Sequence, residues 1–380
     1  MSSDARARFT SIGEAAAWYE RWLMTAAYPL WAQEGVDPIQ GGFRDALSMA
    51  GTSLSLPRRG RTQGRQIYNF AEAGPLGWDG PWREIAWAGM ENLLARHRRP
   101  DGLLRTLVSE DGLPLDETPW IYDHAFALLA MASLHRTNPG RLDLPREAAG
   151  LREAMTALRH PAGLFREAGS KPFQANCHMH LFEAAMAWVE MGADGWDSLA
   201  DEIGTAALTV FIDPDKGFLR EFFDAGWRPA SGDDGRLVEP GHQFEWAWLL
   251  ERWGRLRGRE DARAAARRLY AIGLHGYDAR RGVMVGELWD DLSVRDPLTR
   301  VWPQTEYVKA AAILGDEANL LQGANALVRF LETPVAGLWF ERMTADGSFV
   351  DQPSPATSFY HIVCASLELF RVAGQFAPTR

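Results

Sequence analysis

The sequence predicts an all-α protein, a closed ring of six helix pairs or (α/α)6 barrel of twelve helices, with short β-hairpins at one end. Three observations predict it. A short motif recurs six times: GGFRDALSMAG at 41, DGLLRTLVSEDG at 101, AGLFREAG at 162, KGFLREFFDAG at 216, RGVMVGELWDD at 281 and AGLWFERMTADG at 336. The glycines before the apolar runs, at 42, 102, 163, 217, 282 and 337, stand 54 to 65 residues apart. The stretches between them carry apolar residues at helical spacing.

Each motif reads as a glycine turn leading into a short apolar run mixed with Arg or Glu, usually closed by a second turn. The intervening segments supply the helices, from EAAAWYERWLMTAAYPLW before the first hairpin through PWREIAWAGMENLLARH and WIYDHAFALLAMASLH to SFYHIVCASLELFRVAG after the last. A step of this length holds one hairpin and two helices. An open solenoid would need polar end caps, whereas six units flanked by a first and a last helix fit a ring whose outer helices cover the inner ones. Residues 1–380 are therefore read as one catalytic domain.

Composition narrows the function classes. No apolar run approaches the roughly 18 residues that span a bilayer, so no membrane is expected. A net charge of −10 and a pI near 5.5 argue against nucleic acid, which is bound by clustered positive charge. Two cysteines, Cys177 and Cys364, are too few for a disulfide framework, and the first residues show no leader pattern, so a cytoplasmic setting is expected. Sixteen tryptophans fill wide cores or form platforms for flat-faced ligands such as sugars.

The polar residues converge on one place in the repeat. Arg65 and Tyr68 follow the first hairpin, and Tyr122, Asp123 and His124 follow the second. Asn176, His178, His180 and Glu183 follow the third, and His242 and Glu245 the fourth. Trp302, Gln304 and Glu306 follow the fifth, Tyr360 and His361 the sixth. All stand in the first turns of the helix after a hairpin, so a ring gathers them around one pocket. His97, His135, His160 and His275 are read as surface histidines, and His124 as structural or functional with equal weight. His242 is expected to stay neutral at its helix N-terminus, with Glu245, three residues on, taking its other ring N–H.

Three chemistries compete. A metal centre would use His178 and His180, yet on a helix those two point apart, so no metal is expected. A glycoside hydrolase would use two carboxylates among Asp123, Glu183, Glu245 and Glu306, although most of these stand beside a histidine or another polar group. A binding module without chemistry stays open; no GxSxG and no phosphate-cradling glycine loop is present. Three pocket histidines with aromatic walls suit proton transfer at a carbon next to a carbonyl, which turns an open-chain sugar into an enediol. Returning the proton to C1 isomerises the sugar, and returning it to the other face of C2 epimerises it.

The motifs QGRQIY, YDHAFALL, the NxxxHLxEA pattern of 176–184, PGHQFEWAWLL, WPQTE and SFYHI resemble, in this order, the N-acylglucosamine 2-epimerase superfamily. Its members include cellobiose and mannose 2-epimerases, mannose isomerases and sulfoquinovose isomerase. The resemblance implies an (α/α)6 barrel and a monosaccharide substrate, with His361 and His242 as acid/base pair and no cofactor. Arg65, Asn176, His180, Glu245, Trp302 and Glu306, with Tyr122 beside them, would line the substrate. GHQFEWAWLL and PATSFYHIV look most like the mannose isomerase branch, which implies interconversion of D-mannose and D-fructose and extends to D-lyxose and D-xylulose; a sugar 2-epimerase, or an isomerase of mannose 6-phosphate or sulfoquinovose, is the alternative. A homo-oligomer is compatible with the sequence, which does not set the state. The basic stretch Arg58, Arg59, Arg61 is read as a solvated loop, with recruitment of a phosphate or sulfonate as the alternative.

Overall fold

A computed structural model describes residues 7–374. The first helix, α1, runs from Ile12–Trp22 through a π-turn at Leu23–Ala27 into Tyr28–Glu34. Eleven more follow: α2 (Gly60–Ala73), α3 (Trp82–His97), α4 (Ile121–Thr137), α5 (Leu144–Ala154), α6 (Ala175–Glu190), α7 (Asp197–Ala206), α8 (Pro240–Arg257), α9 (Glu260–Gly273), α10 (Val301–Leu314), α11 (Glu317–Leu331) and α12 (Ala356–Val372). The even-numbered helices form the inner ring: each packs on the next, and α12 packs back on α2. This is the predicted (α/α)6 barrel.

Inner helices are buried almost all round, their polar residues included, whereas the outer helices α5, α7, α9 and α11 keep an exposed polar face. Closure is made by chain segments far apart in sequence. Strand pairing joins Ala46 to Pro355 and Leu47 to Ser354, Gln66 Nε2 donates to the Ala356 carbonyl at 2.7 Å, and the Trp31 and Trp339 rings stack at 4.9 Å.

Long connections carry the hairpins from each outer helix to the next inner one, so all six hairpins lie at the end where the inner helices begin. The six motif glycines all have positive φ, between 67° and 96°, a conformation that side chains with a Cβ resist. The hairpins themselves are minimal. The third contributes a single bridge, Arg159 to Phe165, whereas the connection around the fifth is elaborated into strands Glu287–Trp289 and Val294–Asp296.

A repeated hydrogen bond fixes each hairpin to the helix it precedes. The fourth residue of five inner helices accepts a hairpin backbone N–H: Gln63 from Phe43 at 2.8 Å, His124 from Leu104 at 2.9 Å, His178 from Phe165 at 3.0 Å, Gln243 from Leu219 at 2.8 Å and Gln304 from Met284 at 2.8 Å. In the sixth repeat Ser354 does this for Trp339. His124 and His178 are therefore structural, and burial lowers the pKa of both to about 4. His97 is buried too, with Nδ1 3.0 Å from the Arg105 carbonyl; its place at a helix end had pointed to the surface, but the second hairpin folds over it.

Candidate active site

Because the inner helices start level with one another, equal offsets from their first residues form layers. The second residues are Arg61, Tyr122, Asn176, Gly241, Trp302 and Thr357; the sixth are Arg65, Phe126, His180, Glu245, Glu306 and His361. His242 is the third residue of α8, between the two layers. Arg65, His180, Glu245, Glu306 and His361 thus meet in one ring, with Tyr122, Asn176 and Trp302 nearer the mouth.

Around the sixth-residue layer the contacts run from neighbour to neighbour. The Arg65 guanidinium lies 4.1 Å from the Phe126 ring and donates to Tyr122 Oη at 2.7 Å. Phe126 and Tyr122 both pack on His180, at 4.6 and 4.8 Å between ring centres. His180 Nδ1 is 3.8 Å from a carboxylate oxygen of both Glu183 and Glu245. His361 Nδ1 lies 2.8 Å from Glu306 Oε1. The Trp302 ring stands 5.0 Å from that of His242 and 6.1 Å from that of His361. It rests against Gly241, where a Cβ would come 2.2 Å from the indole.

Glu245 is not the partner of His242. Its carboxylate turns inward to His180 and Lys309, while His242 Nδ1 bonds Glu221 Oε2 at 2.8 Å and stands 3.5 Å from Glu239. Nor is His242 neutral. Burial opposes the charge, but the two facing carboxylates outweigh both it and the helix end, and the pKa rises to about 10. His361 goes the other way: burial first, then Arg65, Lys309 and His180, hold it well below 6.5. His180 falls to about 4, chiefly through burial.

Glu221 lies on a hairpin, outside the helix starts to which helical spacing points. The repeat carries the signal: Asp45, Glu167, Glu221 and Glu341 each stand four residues past a turn glycine (Gly41, Gly163, Gly217, Gly337). Each touches the helix that follows or the one beside it. Glu167 accepts the Ile121 and Tyr122 amides, Asp45 pairs with Arg59, and Glu341 takes Arg300 and the Ser358 hydroxyl.

A cavity of about 290 Å³ opens above the ring, lined by Arg59, Arg61, Arg65, Arg300, Tyr122 and Asn176 among others. Arg58 is elsewhere, buried against Asp37 and the Gly41 carbonyl. Arg61 is the least committed of the four cations: its guanidinium makes a 3.7 Å contact with Asp123. Among the described residues, three groups place donor atoms close enough to share an ion: His180, Glu183, Glu245; Glu221, Glu239, His242; and Glu245, Glu306, His361. In the last, the Lys309 ammonium already stands 2.6 Å from Glu306 and 3.7 Å from Glu245.

The helical barrel is a fold shared by sugar epimerases and isomerases and by glycoside hydrolases such as an α-mannanase of Bacteroides thetaiotaomicron, with a TM-score of 0.66 at 10% identity over 95% of this chain and 96% of that one. Residues 41–365 match the N-acylglucosamine 2-epimerase (GlcNAc 2-epimerase) family, and the chain belongs to it. It is 46% identical over 366 residues, covering 92% of this chain and 95% of the other, to mannose-6-phosphate isomerase of Rhizobium meliloti (strain 1021). The fold is similar to a crystal structure of D-mannose isomerase, with a TM-score of 0.84 at 21% identity over 97% of this chain and 100% of that one. It is also similar to cellobiose 2-epimerase from Spirochaeta thermophila, at 0.83 and 21% over 96% and 98%. Among the described residues no helix is long and apolar enough to cross a membrane.

Proposed function

We propose that the chain is an aldose–ketose isomerase for D-mannose and D-fructose in their 6-phosphate forms, working through an enediol. One arrangement carries the reaction type: His361 and His242 flank Trp302, and their surroundings push the two imidazoles in opposite directions, His361 towards the neutral form and His242 towards the cation. Neutral His361, its Nδ1 occupied by Glu306, offers Nε2 as the base that takes the proton from C2 and returns it to C1. Cationic His242 gives its proton to O1 as the enediol forms and takes one back from the O2 hydroxyl as the proton returns to C1. Arg65 and Tyr122 orient the oxygens near the carbonyl, and His180 and Asn176 bind hydroxyls.

Epimerisation requires the two groups to exchange roles in the reverse direction, each serving as base in turn. His242, held as a cation by Glu221 and Glu239, is a poor base, so the asymmetry favours return of the proton by the group that removed it. A hydrolase needs two carboxylates free to face a glycosidic bond. Glu183 instead accepts from Tyr360 Oη, and Glu306 is engaged by His361 and Lys309.

The name of the relative from Rhizobium meliloti and the arginines of the mouth support the phosphorylated form, in place of the free sugar first expected. Phosphate is matched by charge-assisted guanidinium bonds, and Arg61, with Arg59 and Arg300 beside it, supplies them. Initial rates with mannose, mannose 6-phosphate, glucose 6-phosphate and N-acetylglucosamine test the reading. The expected result is ketose formation from mannose 6-phosphate at the highest kcat/KM; no ketose from either mannose form contradicts it.

A further inference from the structure

Lys309 is one of three lysines in the chain; Lys171 and Lys216 are 44% and 49% exposed at the side chain, whereas Lys309 is wholly buried. Lysine is almost never fully buried unless paired, and this one stands in the layer beneath the proposed chemistry. It is the ninth residue of α10; the ninth residues of the other inner helices are Tyr68, Leu129, Glu183, Trp248 and Cys364. Its ammonium lies 2.6 Å from Glu306 Oε2, 3.7 Å from Glu245 Oε1 and 4.1 Å from the Trp248 ring centre. The other oxygen of Glu306 is the one that meets His361 Nδ1. A continuous chain therefore runs from a buried cation through one carboxylate to the imidazole at the sugar.

Resting on the isomerase reading, we propose that Lys309 is a positioning residue. Its ammonium keeps Glu306 ionised as an acceptor of the His361 Nδ1–H, which fixes the ring and its tautomer and leaves Nε2 as the basic nitrogen. Without the cation, Glu306 has two outcomes in a buried site, since an unpaired buried carboxylate is expensive. It takes a proton and ceases to orient the ring, or it shares one with His361 and turns the base into an imidazolium. Both remove the base. The groups that face this chain are few: Glu245 from α8, Glu183 and His180 from α6, Cys364, Tyr360 and His361 from α12, and Arg65 from α2. Glu183 is held ionised, its pKa lowered to about 2: burial resists, and His180, Lys309 and Tyr360 prevail. Glu245 is raised to about 8 by burial and Glu306. Burial raises the Glu306 carboxyl as well, and the Lys309 ammonium is the largest influence that opposes this rise.

Lys309→Met keeps the length and apolar stem of the side chain. In that variant kcat at pH 7 is expected to fall at least about 10-fold with KM little changed, the signature of a lost transition-state interaction. The acid limb of the kcat profile is expected to move to higher pH. Adding Glu306→Gln, a neutral acceptor for the same N–H, returns that limb towards its original position. A folded Lys309→Met protein with unchanged kcat and an unmoved acid limb overturns the proposal. Should the variant not fold, 15N NMR of histidine-labelled unmodified protein decides: His361 is expected neutral at pH 7 with its proton on Nδ1, and a proton on Nε2 or on both nitrogens overturns the proposal. If the tautomer is as expected and no sugar is isomerised, it is the isomerase reading that fails and not the role of Lys309.

Discussion

His242 Nδ1 lies 2.8 Å from Glu221 Oε2, so the charge on this histidine is set first by a hairpin carboxylate, with Glu239 at the cap of its own helix second. Glu221→Gln removes the nearer of its two carboxylates. The alkaline limb of kcat/KM, expected near pH 10 in the unmodified enzyme, moves down by at least about one unit. Glu245→Gln moves it less. A pH profile in which Glu245→Gln shifts the limb and Glu221→Gln does not restores the first expectation and contradicts this one.

His361→Ala removes the proposed base. The fall in kcat is expected at about 10²- to 10⁴-fold, the range general-base catalysis supplies, with circular dichroism and melting temperature close to those of the unmodified protein. Exchange of the C2 proton with solvent should fall in parallel; a normal exchange rate in the variant would falsify the assignment.

Arg61→Ala and Arg300→Ala test the phosphorylated substrate. Each is expected to lower kcat/KM for mannose 6-phosphate by about 10- to 100-fold, the worth of a hydrogen bond to a charged group, while the rate on mannose changes far less. Equal loss on both sugars means that the arginines serve the barrel and not the phosphate.

The donor groups Glu221, Glu239, His242 and His180, Glu183, Glu245 make metal dependence a direct question. The proposed chemistry runs on protons alone, so dialysis against a chelator is expected to leave the rate unchanged. Loss of activity that a divalent ion restores would reassign those groups as ligands.

Acid stability follows from the buried histidines. His97, His124, His178 and His180 have pKa values of about 4 in the folded chain against 6.5 in the free side chain, chiefly through burial. The unfolded chain therefore binds more protons as pH falls from 6.5 to 4, and stability drops across that window. Melting temperature is expected to fall steeply there; a flat profile means that these rings protonate in place.

Much of the architecture could be read from spacing alone, because a glycine with positive φ recurs once in every helix pair and leaves a visible mark at 42, 102, 163, 217, 282 and 337. The gathering of Arg65, His180, Glu245, Glu306 and His361 was legible for the same reason: equal offsets in a ring become neighbours. Partnerships across repeats were not legible. That Glu221 faces His242, and Glu306 faces His361, depends on side-chain direction around the ring, which helical spacing within one segment does not contain. In sequence VKAAAIL reads as ordinary helix, and only its burial shows that the charge of Lys309 has nowhere to go but inward.

The central claim is that His361 moves one proton between C2 and C1 of a mannose-type sugar. Incubation of the enzyme with mannose 6-phosphate in D2O, followed by proton and carbon NMR, tests it most directly. The account predicts fructose 6-phosphate with deuterium at C1 in part of the product, some proton retained by internal transfer, and no glucose 6-phosphate. Glucose 6-phosphate deuterated at C2 as the main product, or no ketose at all, would contradict it.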